Sequence, residues 1–123
     1  DIRFQVVEFD RQQNLTTSEG TIESGEGERW IVADVWVSSS PGDAIELGYD
    51  QVRVLDSFDN RIRPDDQAMR ELDDAYPREF RLPADSDRQW RVAWLVDNHR
   101  DIEFEIVPYG DQDGGTVRVT PGE

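Results

Sequence analysis

The apolar residues of this chain fall in short runs with a period of two, and that spacing limits its possible folds more than any other feature. Along residues 29–38, Ile31, Ala33, Val35 and Val37 alternate with Trp30, Val32, Asp34 and Trp36. Successive side chains of a strand point to opposite faces, so the first set forms one wholly apolar face. Trp90, Val92, Trp94 and Val96 share a face within residues 88–96, and Ile102, Phe104 and Ile106 alternate with Glu103 and Glu105. Ile2, Phe4 and Val6 keep one phase and Val7 and Phe9 the opposite one, which predicts a β-bulge near Val6–Val7. Shorter strands are expected at residues 44–47, 51–55, 79–82 and 117–119. Residues 11–28 read as a long polar connection with a short strand at 21–23. Turn composition marks residues 38–43, 56–61, 97–100 and 110–115. One helix is expected over residues 66–73, capped by Asp65, with Ala68, Met69 and Leu72 on one side and Pro77 closing the region. Seven to nine short strands without βαβ units predict an all-β antiparallel sandwich with one short helix. At 123 residues the chain is read as a single domain over 1–123.

Charge narrows the setting. The chain has 28 acidic residues against 13 basic ones, a formal net charge of −15. That field disfavours nucleic acid and anionic lipid as partners. The absence of cysteine excludes a disulfide scaffold, a thiolate nucleophile and cysteine-ligated metal. No apolar run approaches the roughly 20 residues that span a bilayer, so no direct membrane insertion is expected. The chain begins at Asp1 rather than Met, which reads as a mature or trimmed product. All 13 basic residues are arginine. In molar salt the Debye length is about 3 Å, and self-repulsion of an acidic surface is screened. Carboxylates then hold water and cations, whereas lysine stems add apolar area that concentrated salt drives into association. The composition points to a haloarchaeon; an acidic mesophilic domain from a GC-rich bacterium is the other source of such a bias.

Three stretches carry a family resemblance. They are GERWIVADVWVSSS (residues 27–40), VRVLDSFDNRIRPDD (52–66) and RLPADSDRQWRVAWLVD (81–97). In that order they resemble the immunoglobulin-like, telokin-like domain family of unknown function found on bacterial and archaeal surface lipoproteins. A valine-aspartate-valine strand meets a turn, a leucine-x-aspartate-x-x-asparagine hairpin follows, and a leucine-proline turn precedes a long strand. The likeness covers roughly residues 2–108, and its motifs are structural rather than catalytic. The turn after Leu82-Pro83 lacks the usual glycine, and Trp90 and Arg91 are bulky for their positions. The resemblance implies an immunoglobulin-like sandwich tethered outside the membrane, with no assigned chemistry.

Few constellations point to chemistry. His99 is the sole histidine and lies in an expected turn, where a solvated side chain is the simpler reading than a triad base. Among the acids, only Asp34 lies inside a strongly apolar strand, as a possible raised-pKa acid or as an edge or arginine-paired carboxylate. Asp56 and Asp59 share one turn with Asn60, and Asp65 follows nearby; Asp111 and Asp113 flank glycines in another turn. Loops of that composition offer the hard oxygens calcium requires, although EF-hand spacing is absent. Trp30, Asp34 and Trp36 form a candidate ligand face, with the two indoles about 20 Å apart along the strand. If solvent reaches them, the face suits sugar stacking or protein docking. If a neighbouring loop or the segment 65–76 covers it, the face is a second core.

Together these readings give a non-catalytic extracytoplasmic interaction or structural module of a halophilic archaeon. Protein partners at the cell envelope are expected, with anchoring through a segment outside this chain. The alternative is a ligand-binding module for a glycan or a divalent cation. The candidate residues are Trp30, Asp34 and Trp36 for the ligand, and Asp56, Asp59 and Asp65 for Ca²⁺.

Overall fold

A computed structural model describes residues 3–42, 44–58, 60–97 and 101–106, with the backbone of 117–119. In chain order the elements are β1 (Arg3–Gln12), β2 (Asn14–Thr17), β3 (Gly20–Glu23), β4 (Glu28–Ser38), β5 (Ile45–Leu47), a 3₁₀ turn (Tyr49–Gln51), β6 (Val52–Asp56), β7 (Arg61–Ile62), α1 (Asp66–Glu71), β8 (Phe80–Leu82), β9 (Asp87–Asp97), β10 (Ile102–Ile106) and β11 (Val117–Val119). All strand pairs among the described residues are antiparallel. One sheet has the order β1-β4-β9 and the other β11-β10-β6-β7; two small ribbons, β2-β3 and β5-β8, accompany them among the described residues. The fold is an all-β antiparallel sandwich with one short helix.

The two main sheets enclose the core that the alternation predicts. From the first sheet come Val6, Ile31, Ala33, Val35, Val37, Val92, Trp94 and Val96; from the second come Val52, Val54 and Phe104. Complete burial of side chains this large contributes roughly 1.5–3 kcal/mol each. The Trp94 indole spans the layers, donating from Nε1 to the Val52 carbonyl at 3.2 Å. Its ring meets Phe104 with centroids 5.4 Å apart, and Phe9 meets Phe104 at 5.5 Å. Trp90, at the rim, is half-buried between Tyr76 and Phe80. The bulge lies where the phase change places it, with the β1–β4 register shifting between Val6 and Glu8.

Three features depart from expectation. Eleven strands form among the described residues: the polar connection contains a complete hairpin, β2–β3, rather than one short strand, and Arg61–Ile62 at the end of the expected turn forms β7. Its apolar content is small, Leu15 opposite Ile22, and Gly20 takes the positive φ of 129° that the tight turn demands. Glu105 belongs by alternation to the polar face of its strand, yet it is 1% exposed and accepts a bond from Arg61 Nε at 2.9 Å. In the turn after Pro83, Asp85 adopts φ 56°, the left-handed conformation that aspartate tolerates better than most residues. That aspartate supplies the conformation for which glycine is the usual residue.

Segment 65–76 runs along the outer edge of β9. Asp65 donates its N–H to the Ala93 carbonyl at 3.0 Å, Arg91 donates to Asp74 at 2.8 Å, and Tyr76 donates to Arg91 at 2.9 Å. These bonds dock α1 against the outward face of the β1-β4-β9 sheet.

Candidate functional site

The outward face of β4 carries Trp30, Val32, Asp34 and Trp36, and the fold divides it into two halves. At one end Trp30 is only 2% exposed. It lies in a second apolar cluster with Leu15 from the hairpin, Ala68 and Leu72 from the α1 region, and Ala93 from β9. Its Nε1 donates to the Ile22 carbonyl at 3.0 Å, so the indole is satisfied as well as covered. The face therefore carries no continuous solvent-facing tryptophan surface. The segment 65–76 and the hairpin cover its Trp30 end.

Beyond the cover the sheet opens. Register sets Asp34 on β4 opposite Glu8 on β1 and Arg91 on β9. The Arg91 guanidinium stands 3.7 Å from Asp34 Oδ1, with the two side chains 51% and 22% exposed. At that distance the pair is a loose ion pair rather than a hydrogen bond. A cleft of about 290 Å³ lies here between the sheet, the hairpin and the helix. Glu8, Asp10, Asp34 and Arg91 supply its charges, and Leu15, Val32 and Leu72 a small apolar margin. Trp36 follows two residues further along β4, half-buried, with Nε1 donating to Asp87 Oδ2 at 3.3 Å. Past it, at the end of the sheet, Arg3, residues 38–41 and residues 85–87 line another cleft of about 470 Å³.

The acidic turn is organised differently. Asp56 is 5% exposed. Its Oδ1 accepts from the N–H groups of Phe58 at 2.9 Å and Asn60 at 3.0 Å, and its Oδ2 accepts from Asn60 Nδ2 at 3.1 Å. These are the bonds by which an aspartate closes a tight hairpin. Asp65 Oδ1 accepts from Ala68 N at 3.0 Å and caps α1. Asp59 lies outside the described residues, as do His99, Asp111 and Asp113. Among the described residues no group of three or more acids and histidines gathers in a metal-binding arrangement.

Sequence reasoning singles out Asp34 and offers an arginine as its partner, but not which arginine. It does not find Glu8 or Asp10. The bulge is the available signal: past it the phase of β1 flips, which turns Glu8 and Asp10 onto the face of Asp34. The contributions of Leu15 and Leu72 depend on contacts between segments far apart in the chain.

No protein-family model and no curated protein sequence matches the chain. Solved structures do share its fold. The ycdA protein of Bacillus subtilis, a candidate lipoprotein, aligns with a TM-score of 0.66 at 14% identity, covering 96% of this chain and 35% of its own length. The yjhA protein of the same species aligns with a TM-score of 0.64 at 12% identity, over 98% of this chain and 91% of that one. A conserved hypothetical protein of Bacillus anthracis gives 0.59 at 14% identity, over 86% and 90%. The chain thus spans about a third of the first neighbour and nearly all of the other two. No helix among the described residues is long and apolar enough to cross a membrane.

Proposed function

We propose that the domain is a non-catalytic, extracytoplasmic recognition module that docks a protein partner at the cell envelope through the cleft beside Asp34. The observation that carries this reading is the lining of that cleft. Three carboxylates, Glu8, Asp10 and Asp34, stand against the guanidinium of Arg91 in a mostly polar lining, with a small apolar margin from Val32 and the largely buried Leu15 and Leu72. A partner side chain with a cationic head and an apolar stem matches both parts, which is the chemistry of arginine or lysine. The Asp34–Arg91 pair is long and half in solvent, so an incoming cation displaces little binding energy when it takes over the carboxylate. Likeness to a candidate lipoprotein supports the extracytoplasmic setting, and the antiparallel two-sheet architecture agrees with the sandwich that the immunoglobulin-like, telokin-like resemblance implies. The all-arginine, strongly acidic composition supports a haloarchaeal source.

A glycan is the second reading, favoured by the part of Trp36 that remains in solvent beside the cleft. Two-dimensional amide NMR with three probes separates the cases: a short arginine-containing peptide, a panel of soluble oligosaccharides, and Ca²⁺. The peptide is expected to shift the amides of Glu8, Asp34 and Arg91 saturably, and the double substitution Glu8→Gln, Asp34→Asn to remove the response. Shifts centred on Trp36 with an oligosaccharide would replace this reading by the glycan. Shifts centred on Asp56 and Asp65 with Ca²⁺ would replace it by a cation site.

A further inference from the structure

The β1-β4-β9 sheet has two edges of different character. The β9 edge is closed by segment 65–76 through the backbone hydrogen bonds of Asp65, Arg91 and Tyr76. On the β1 edge, ten residues long, no other strand pairs among the described residues. A long strand edge presents its backbone donors and acceptors as a template for another strand.

The order of residues in β1 specifies which strand fits. Outwards from the bulge, Val6, Gln5, Phe4 and Arg3 mirror Val7, Glu8, Phe9 and Asp10. In the three outer pairs exposure mirrors too: Phe4 and Phe9 are both half-buried against the core, whereas Arg3, Gln5, Glu8 and Asp10 are all exposed; at the centre Val6 is buried and Val7 exposed. A regular strand could not use this symmetry, because period two puts residues equidistant from such a midpoint on opposite faces. The bulge resets the phase. Phe4 pairs with Val37 and Phe9 with Ala33, both on the core side of β4; Gln5 pairs with Trp36 and Glu8 with Asp34, both on the outward side. Outside the central valines the mirror is therefore one of faces as well as of polar and apolar character.

We propose that β1 is a homodimer interface. The β1 strand of a second copy adds antiparallel about a two-fold axis at the bulge, joining two three-stranded sheets into one of six strands. In this register Arg3 faces Asp10 of the second copy, Gln5 faces its Glu8 and Phe4 faces its Phe9, and the two-fold axis makes each pair twice. Val7, 42% exposed in the single chain, is covered at the centre. A two-fold axis through Val7 itself would set Arg3 against Arg11 and Phe4 against Asp10. Those last two lie on opposite faces, so the bulge selects the complementary register over the repulsive one.

Sedimentation equilibrium tests this on the 123-residue chain, in the lowest potassium chloride concentration that retains its native circular dichroism. The expected mass is twice 14.2 kDa at micromolar concentration. Arg3→Asp and Asp10→Arg each convert two attractive pairs into two repulsive ones and should weaken self-association about tenfold or more. Mixed in equal amounts, the two variants restore both pairs. The aspartate introduced in one variant then faces the arginine introduced in the other, and the native Arg3 faces the native Asp10, so the mixture should recover the dimer mass. Recovery on mixing identifies this register and cannot come from a misfolded variant. A wild type that stays monomeric up to millimolar concentration would overturn the proposal. So would variants that associate as tightly as the wild type, or a mixture no heavier than its separate components.

Discussion

Tyr49 joins two distant parts of the chain through one side chain. Its backbone N–H donates to the Pro77 carbonyl at 3.0 Å, and its hydroxyl donates to Asp66 Oδ1 at 2.7 Å, tying the 3₁₀ turn to the first turn of α1. The carboxylate accepts only from the protonated phenol, so this bond raises the Tyr49 pKa above its usual value of 10.0, and burial raises it further. The positive charges of Arg78 and Arg63 act the other way without reversing the shift. The folded value is the higher one, so the stabilisation is complete below about pH 10 and is lost as pH rises through the folded pKa. In thermal unfolding from neutral to strongly alkaline pH, wild type should therefore lose stability more steeply than Tyr49→Phe above about pH 10. At neutral pH the variant should be less stable by about 1.5–3 kcal/mol, as for other bonds to a charged group. Parallel curves would assign the contact no weight. Asp56 and Asp65 make a related point at the same scale. A carboxylate that closes a turn and one that binds calcium use the same oxygens, and the sequence does not distinguish them. In the folded chain the N–H groups of Phe58, Asn60 and Ala68 give these two carboxylates turn-closing and helix-capping roles.

At the scale of elements, the hairpin β2–β3 and the helix α1 form a partial third layer over the first sheet. Each is too short to be stable alone. They hold one another through Trp30, which fills the space between Leu15, Ala68 and Leu72 and bonds the hairpin backbone at Ile22. Ser18 Oγ adds a direct link from the hairpin turn to the Glu71 carbonyl at 3.2 Å. Trp30→Ala should lower stability by about 3–5 kcal/mol, the range for emptying a large aromatic site. It should also raise amide hydrogen exchange in residues 14–23 and 66–72 ahead of β4 and β9. Uniform loss of protection across both main sheets would mean that the layer is part of the central cooperative unit. The helix was legible because its cap and its apolar spacing are local. Of the hairpin only β3, at residues 21–23, was legible; β2 was not, because Leu15 is the one apolar residue in its polar stretch and is buried by packing with Trp30.

For the molecule as a whole, the decisive quantity is the net charge of −15 on one small domain. Self-repulsion of that size is damped as the Debye length falls from about 8 Å in ordinary saline to about 3 Å in molar salt. The unfolding midpoint is expected to climb by several degrees or more as potassium chloride is raised into the molar range. Millimolar Ca²⁺ should add nothing beyond its ionic strength, since Asp56 and Asp65 are engaged with backbone and amide donors. A further calcium shift in about 3 M salt would establish the acidic turns as a binding site. A midpoint indifferent to salt would remove the halophilic reading.

Period-two alternation by itself determined that this chain is an antiparallel β protein, where its long strands run, which faces of β4 and β9 meet the core, and where β1 is bulged. These properties rest on the stereochemistry of neighbouring residues, which a linear sequence records directly. The division of the outer β4 face into a covered Trp30 and an open Asp34 was decided only by the tertiary structure. So were the identity of Arg91 as the partner of Asp34 and the burial of Glu105 beneath Arg61. Each depends on which distant segment packs against a strand face. That outcome follows from the summed packing of the whole chain, and no local pattern encodes it.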